Sequence, residues 1–272
     1  MNTTTPKILF SDIDGTLLNP ERQLSEFTIS EIKRIKEHIP VVLISSRMPS
    51  AMRHLQKELD ILDQPLICYN GGLILIDDQV VSSTFIPPET IDVLNEFNHK
   101  NEFHISLYHN DDWFVPEIDY WAKREINNTK VQPSVKATND VITDWKNTGK
   151  GAHKIMLMGD ETPIGSVYKF LEENFSDSLH IYRSKSTYIE IAHKAISKRT
   201  AVEQLLQTHF SLPITDAIAF GDNYNDIAML KAVGTGVAVA NAKPETLAIA
   251  DATTLAGKED GVATYINKHI TF

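Results

Sequence analysis

The stretch Lys7-Ile8-Leu9-Phe10-Ser11-Asp12-Ile13-Asp14-Gly15-Thr16-Leu17-Leu18 decides how the rest of the chain is read. Ile8, Leu9 and Phe10 form an unbroken apolar run, the pattern of a strand buried on both faces. The strand delivers Asp12 and Asp14 at its carboxyl end, and Gly15 follows, free to make a sharp exit turn. In open α/β sheets, ligand chemistry gathers at the carboxyl ends of strands. Two acids there point to a cation or a reaction, against the alternative of two solvated loop aspartates. A calcium loop does not fit. Counted from Asp12, the fifth, sixth and twelfth positions are Thr16, Leu17 and Gln23, and a strand rather than a helix precedes them.

Outward from this strand the pattern alternates. Ser25 or Thr28 can cap a helix carrying Ile29, Ile32, Ile35 and Ile39, closed by Pro40. Val41 to Ile44 reads as a second buried strand ending at Ser45-Ser46-Arg47. Pro49 opens a helix with Met52, Leu55 and Leu59 on one face. Leu66 to Tyr69 is a third strand, and the Asn70-Gly71-Gly72 turn leads to Leu73-Ile74-Leu75-Ile76. Repeated β-α-β units predict a parallel sheet with right-handed crossovers. The rhythm resumes at Ser197, with a helix from Lys198 to Phe210. A strand at Ala217–Phe220 ends in Gly221-Asp222, a helix runs from Asn225 to Ala232, Gly236–Val239 is a strand, and a further helix starts at Pro244.

Between these halves the character changes. From about residue 82 to 190 the segments are shorter and more polar, and all three tryptophans (Trp113, Trp121 and Trp145) lie there. His104–His109 and Lys154–Met158 read as strands, Glu117–Asn127 and Ile164–Asn174 as helices, and His180–Ser184 with Thr187–Ala192 as paired strands. The expectation is a core domain from residues 1–81 and 191–272, with an α+β domain, 82–190, inserted into it. One continuous sheet is the alternative.

Composition narrows the function classes. The chain has 272 residues, 42% hydrophobic and 23% charged, ordinary for a globular protein. With 26 basic and 36 acidic residues its net charge is −10, which argues against a nucleic-acid or membrane-surface binder. The single cysteine, Cys68, excludes internal disulfides and cysteine metal cages, and its apolar neighbours suit burial. Met1 to Pro6 shows no signal-peptide pattern and no run reaches a membrane span, so a cytoplasmic protein is expected.

Four strand ends carry polar side chains: Asp12 and Asp14, Ser45 and Ser46, the Asn70 turn, and Asp222 to Asp226. Lys198 opens a helix in the same core. Each alone has a plain reading, as a helix cap or a solvated charge. Folded onto one sheet, Asp12, Asp14 and Asp222 converge with Asp226 close behind, and such acids need a cation among them. An all-oxygen donor set predicts a hard ion such as magnesium. A cation, a lysine and two hydroxyls make a phosphate site, with one carboxylate placed to attack phosphorus.

With these motifs in order, the sequence resembles the haloacid dehalogenase (HAD) superfamily, and within it the Cof-like phosphatases with a large inserted cap. Asp12-Ile13-Asp14-Gly15-Thr16 looks like the first motif and Ser45-Ser46-Arg47 like the second. Lys198 is similar to the third, and Gly221-Asp222-Asn223-Tyr224-Asn225-Asp226 to the fourth. The resemblance covers nearly the whole chain and implies a Rossmann-like core with the cap between the second and third motifs. It implies Asp12 as nucleophile and metal ligand. Asp14 would be the acid that protonates the leaving alcohol and the base that activates water, its backbone carbonyl also touching Mg2+. Ile13, Ser45, Ser46, Lys198 and Asn225 would bind phosphate, Asp222 would be a metal ligand, and Asp226 would support it. Ser46 departs from the usual glycine. Arg199, where glycine is frequent, is expected to narrow or charge the mouth of the site.

The function expected is a magnesium-dependent phosphatase acting through an aspartyl phosphate on a small phosphorylated metabolite. That substrate would be a sugar phosphate or a phosphorylated cofactor such as PLP or FMN. A phosphosugar mutase on the same core and a non-catalytic phosphometabolite-binding regulator are the alternatives. A dehalogenase is disfavoured, because a carbon–halogen bond offers Asp14 no leaving oxygen to protonate. His109, Asp112, Trp113, Arg124, Arg183 and Tyr188 are polar or aromatic enough to line a pocket in the inserted domain. A monomer or small homo-oligomer is expected.

Overall fold

The computed structural model describes residues 5–272. Met1 to Thr4, on which part of the signal-peptide reading rests, lie outside the described residues. The chain divides into two units. The first comprises residues 5–47, 52–82 and 197–272, and the second residues 48–51 and 83–196.

In chain order the first unit holds β1 (Ile8–Ser11), α1 (Glu26–Ile35), β2 (Val41–Ile44), α2 (Ser50–Leu59) except its first two residues, β3 (Leu66–Cys68), β4 (Leu73–Ile76) and β5 (Gln79–Ser83) except its last residue. The second unit supplies α3 (Pro88–Asn98), β6 (His104–His109), β7 (Asp112–Val115), α4 (Tyr120–Thr129), β8 (Ser134–Val135) and α5 (Thr138–Thr148). It continues with β9 (Lys154–Met158), α6 (Glu161–Phe175), β10 (Leu179–Lys185) and β11 (Tyr188–His193). The chain then returns to the first unit with α7 (Lys198–Leu205), β12 (Ala217–Gly221), α8 (Ile227–Ala232), β13 (Thr235–Val239), α9 (Pro244–Leu247), β14 (Ala252–Thr254) and α10 (Gly261–His269).

The first unit is built on one eight-stranded sheet of order β14-β13-β12-β1-β2-β3-β4-β5. The six strands from β14 to β3 are parallel, and β4 turns back antiparallel on β3. β1 sits in the middle with every residue buried, as its apolar run requires. Ala201, Val202 and Leu205 of α7 and Met229 of α8 share a core with Ile8, Phe10, Val42 and Ile44. Alternation sends Leu9 and Leu43 to the opposite face, while α1 and α10, packed on each other, bury Ile32, Ile35, Val262 and Ile266. Burying each such side chain contributes roughly 1.5–3 kcal/mol.

Local signals set the helix ends. Ser25 caps α1, accepting from the Thr28 N–H at 3.0 Å. Ser197 caps α7, paired reciprocally with Thr200. The predicted helix over 198–210 stays regular only to Leu205 and ends in a wider π turn over 206–210. The predicted helix over 225–232 starts at Ile227, because the preceding residues are tied into a turn on Asp226.

The second unit has its own six-stranded sheet, order β10-β11-β9-β6-β7-β8. Its pairings are antiparallel except β7 with β8. The unit runs to residue 196 because β11 keeps its pairing with β10 as far as His193. One sheet face, with Ile105, Leu107, Ile155, Leu157, Ile189 and Ile191, shares an apolar core with Ile91, Trp145 and Ile164 of the helices. The other carries a polar network. His104 joins Asp119 at 2.8 Å and Ser106 at 2.8 Å, and Trp113 donates to Ser106 at 3.0 Å. That order of acid, imidazole and hydroxyl mimics a hydrolytic triad. Ser106 is fully buried, so the network serves to brace Asp119, which caps α4 through the Ala122 N–H. No helix among the described residues is long and apolar enough to cross a membrane.

His153 generates a prediction. Burial, and then the charge of neighbouring His109, hold its imidazole down at about 3. Its Nδ1 accepts from the Asn110 N–H at 3.0 Å, leaving Nε2–H for Ser83 Oγ at 2.9 Å. The unfolded chain takes up this proton near the ordinary value of 6.5, and the folded chain only near 3. Stability from this group is complete above 6.5 and is lost as pH falls through that window. Thermal melts between about pH 7 and pH 4 are expected to fall less steeply in His153→Gln than in the wild type.

Candidate active site

Four neighbouring parallel strands, β12, β1, β2 and β3, end on the same edge of the sheet. Their exits carry Asp222, Asp12 with Asp14, Ser45 with Ser46, and Asn70. Asp12 follows β1 directly, its N–H donating to the Phe220 carbonyl at 3.1 Å. The Ile13 carbonyl accepts from the N–H groups of Leu17 and Leu18 at 3.0 and 3.2 Å, which wraps the chain back into a tight turn. Gly15 makes that turn possible with φ +87. A Cβ there would lie 2.4 Å from Asp222 Oδ2, so the turn and the second acid can approach only with glycine.

At the centre is Lys198, the first residue of α7 and fully buried. Its Nζ donates to Asp12 Oδ1 at 2.5 Å and to Asp226 Oδ1 at 2.6 Å. The other Asp226 oxygen accepts from the N–H groups of Asp222 and Asn223, both at 3.0 Å. Gly221 permits this, because a Cβ at that position would meet Asp226 at 2.5 Å. Thr16 Oγ1 donates to Asp222 Oδ1 at 3.4 Å.

Asp12, Asp222 and Asp226 each offer a carboxylate oxygen within 4.8 Å of the others. The trio differs from the expected one. Asp226 takes the place of Asp14, whose carboxylate is turned to Arg47 at 2.6 and 2.7 Å. Three carboxylates and one ammonium leave two negative charges to balance. Burial pushes the Asp12 carboxyl well above the ordinary range; Lys198 opposes the shift, and Asp226 and Asp222 add to it. Asp222 is pushed up to about 6, by burial and then by Asp226. Burial lowers Lys198, but Asp12 and Asp226 together outweigh it and raise its proton affinity.

Asp12 Oδ2 is buried without a hydrogen-bond partner. An ionised oxygen in that position needs a cation or an electrophile. The donor set is all oxygen, the residual charge is that of a divalent ion, and the residues therefore fit a hard divalent metal. Asp12 and Asp222 could hold it, whereas both Asp226 oxygens are already engaged by protein donors.

The remaining expected residues lie around this centre. Ser45 is buried and bolted down: its N–H donates to the Ile67 carbonyl at 3.0 Å and its carbonyl accepts from the Asn70 N–H at 2.8 Å. Ser46 beside it is half-buried. Asn225 is exposed, its Nδ2 donating to Asn70 Oδ1 at 3.0 Å. Arg199 runs along α7 to Glu203 at 2.8 Å, which accounts for its charge within the helix rather than at the mouth of the site. Sequence reasoning missed Asn241, which donates to the Gly15 carbonyl and accepts from the Gly257 N–H, both at 2.8 Å. Asn241 lies just after β13, so the same strand-end reading could have found it. Of the residues expected to line a pocket in the second unit, Arg124 and Tyr188 share a cleft of about 170 Å³ with Asn128, Ser184 and Lys185. His109 instead packs against Trp145 and His153.

Comparison with known proteins agrees with this geometry. The family model for haloacid dehalogenase-like hydrolases matches residues 9–266. A Haemophilus influenzae protein named as a phosphatase without a stated substrate is 33% identical over 261 residues, spanning 94% of this chain and 95% of its own. The 5-amino-6-(5-phospho-D-ribitylamino)uracil phosphatase of Bacillus subtilis is 26% identical, spanning 98% of this chain and 99% of its own. The crystal structure of a haloacid dehalogenase-like hydrolase from Bacteroides thetaiotaomicron superposes with a TM-score of 0.87 at 29% identity, covering 97% of this chain and 99% of that one. The chain therefore belongs to the haloacid dehalogenase-like hydrolases, as a Cof-like phosphatase that hydrolyses phosphoric monoesters.

Proposed function

We propose that this enzyme is a magnesium-dependent phosphatase for a small phosphorylated metabolite, a sugar or polyol phosphate, working through an aspartyl phosphate on Asp12. The observation that carries the proposal is the asymmetry of Asp12. One oxygen is gripped by Lys198, and the other is buried, without a partner and at the carboxyl end of the central strand. That free oxygen is the nucleophile, aimed by its clamped twin.

Asp12 Oδ2 attacks phosphorus in line with the leaving oxygen. Asp14 gives its proton to that oxygen, and the alcohol departs. Asp14 then takes a proton from water, which attacks the phosphorus of the aspartyl phosphate. Inorganic phosphate forms, and the Asp12 carboxylate is regenerated. Lys198, Ser45, Ser46, Asn225 and the Ile13 N–H hold the phosphoryl oxygens, and Lys198 offsets their charge. Asp12, Asp222 and the Asp14 carbonyl would hold Mg2+, with Asp226 fixing the Asp222 loop. The ion supplies charge neutralisation that lets a carboxylate meet a phosphate dianion. The second unit is proposed as a cap that selects substrate. The Bacillus subtilis relative is named for a phospho-D-ribityl substrate, which supports a polyhydroxylated ester here.

Phosphate release from 4-nitrophenyl phosphate is expected to need Mg2+, to stop on chelation, and to fall at least about a thousandfold in Asp12→Asn. Continued release by that variant would overturn the nucleophile assignment.

The pH dependence of metal binding follows from the raised carboxyls. Asp12 and Asp222 must lose their protons to bind a cation, and in the metal-free fold they hold them to about 7 and about 6. Mg2+ affinity by titration calorimetry is therefore expected to be about tenfold or more weaker near pH 5.5 than near pH 7.5. Without metal the same raised values make these acids cost stability as pH rises from 3.8, up to about 6 for Asp222 and about 7 for Asp12. A flat affinity profile would show that neither acid is a ligand.

A further inference from the structure

We propose that Arg47 positions the Asp14 carboxylate for its two proton transfers. The inference rests on the assignment of Asp14 as acid and base. Asp14 leaves the turn beside Gly15 with its side chain 45% exposed, outside the buried trio of Asp12, Asp222 and Asp226. An aspartate so placed swings freely about its side-chain torsions unless something holds it.

Arg47 is that hold. Its Nε donates to Asp14 Oδ2 at 2.7 Å and its Nη2 to Oδ1 at 2.6 Å, a two-pronged grip that fixes the plane of the carboxylate. The grip is itself anchored. The Arg47 side chain is only 16% exposed. Its N–H donates to Ser45 Oγ at 3.3 Å, and its carbonyl accepts from the Tyr69 N–H at 3.1 Å. Arg47 is therefore mounted on the same strand-end loop that carries Ser45 and Ser46.

What sets this partly exposed pair apart from an ordinary surface ion pair, typically about 0.2–1 kcal/mol, is its two-pronged geometry. Proton transfer needs the carboxylate within hydrogen-bond reach of the leaving oxygen and then of water. With both oxygens held, one N–H···O contact opens to admit the proton while the other keeps the orientation. A lysine, with one ammonium in place of a planar fork, cannot do this.

The test compares two esters that differ in their need for a proton. The phenolate of 4-nitrophenyl phosphate departs unaided; that of phenyl phosphate gains from protonation. With saturating Mg2+, Arg47→Ala is expected to lower kcat/KM, which reports the steps up to departure of the alcohol, about 10–100-fold for phenyl phosphate and less than about threefold for 4-nitrophenyl phosphate, while kcat falls on both esters because water activation is shared. Arg47→Lys should behave like Arg47→Ala, and added guanidinium ion should restore part of the Arg47→Ala loss. Asp14→Asn should show the same ester dependence more deeply. Arg47→Gln and a thermal melt of each variant separate misfolding from mispositioning. Equal losses of kcat/KM on both esters, or a loss carried by a raised KM, would mean that Arg47 binds the phosphoryl group directly and would overturn the proposal. Wild-type levels for phenyl phosphate in Arg47→Ala would also overturn it. Failure of the wild type on both esters would instead remove the phosphatase mechanism on which the inference stands.

Discussion

A buried ammonium holds this site together. Lys198 has no exposure to solvent, and stripping water from such a charge costs several kcal/mol unless the surroundings replace it. Asp12 and Asp226 replace it with two short charge-assisted bonds. The bond to Asp12 spans 186 positions of sequence, and the bond to Asp226 spans 28. One cation thus ties the central strand, the first turn of α7 and the loop after β12. Removing Lys198 would leave two buried carboxylates with no counter-charge between them, the costly outcome for a paired ion.

The same clamp makes Asp12 chemically unequal at its two oxygens. Oδ1 is spent on Lys198, while Oδ2 is buried with no partner. Burial first, and then the neighbouring acids, raise the proton affinities of Asp12 and Asp222. Such frustrated carboxylates are tolerated where a cation completes the set. Backbone space is part of the same arrangement. Gly15 and Gly221 stand where a Cβ would strike Asp222 and Asp226 respectively, so the acids close in only because those two positions have no side chain.

The second unit follows a different logic. One face of its sheet is apolar and packed by helices, while the other carries polar side chains that satisfy one another. The buried network of His104, Asp119, Ser106 and Trp113 fixes the start of α4, which bears Arg124 and Asn128 in the cleft. Buried hydrogen bonds of this kind set orientation more than they add stability.

The sequence determined by itself what depends on local pattern. The apolar run at Ile8–Phe10 specifies a buried strand, and the alternation of such runs with helices specifies a parallel sheet. Acids after strands fall on one edge because parallel strands share a direction. Asp12, Asp222 and Asp226 were legible for that reason, and Lys198 as the first residue of a helix in the same core. The α3, α5, β7, β8, β14 and α10 segments were not, being short or weakly periodic and stabilised by packing across the fold. Only the tertiary structure decided which carboxylates meet. Asp14 is two residues from Asp12, yet its side chain turns to Arg47, while Asp226, distant in sequence, enters the buried trio. Residues two apart share a face only while the strand continues; the turn closed on the Ile13 carbonyl, with Gly15 at φ +87, breaks that alternation after Asp12, and spacing along a chain does not report where a carboxylate finds its nearest counter-charge.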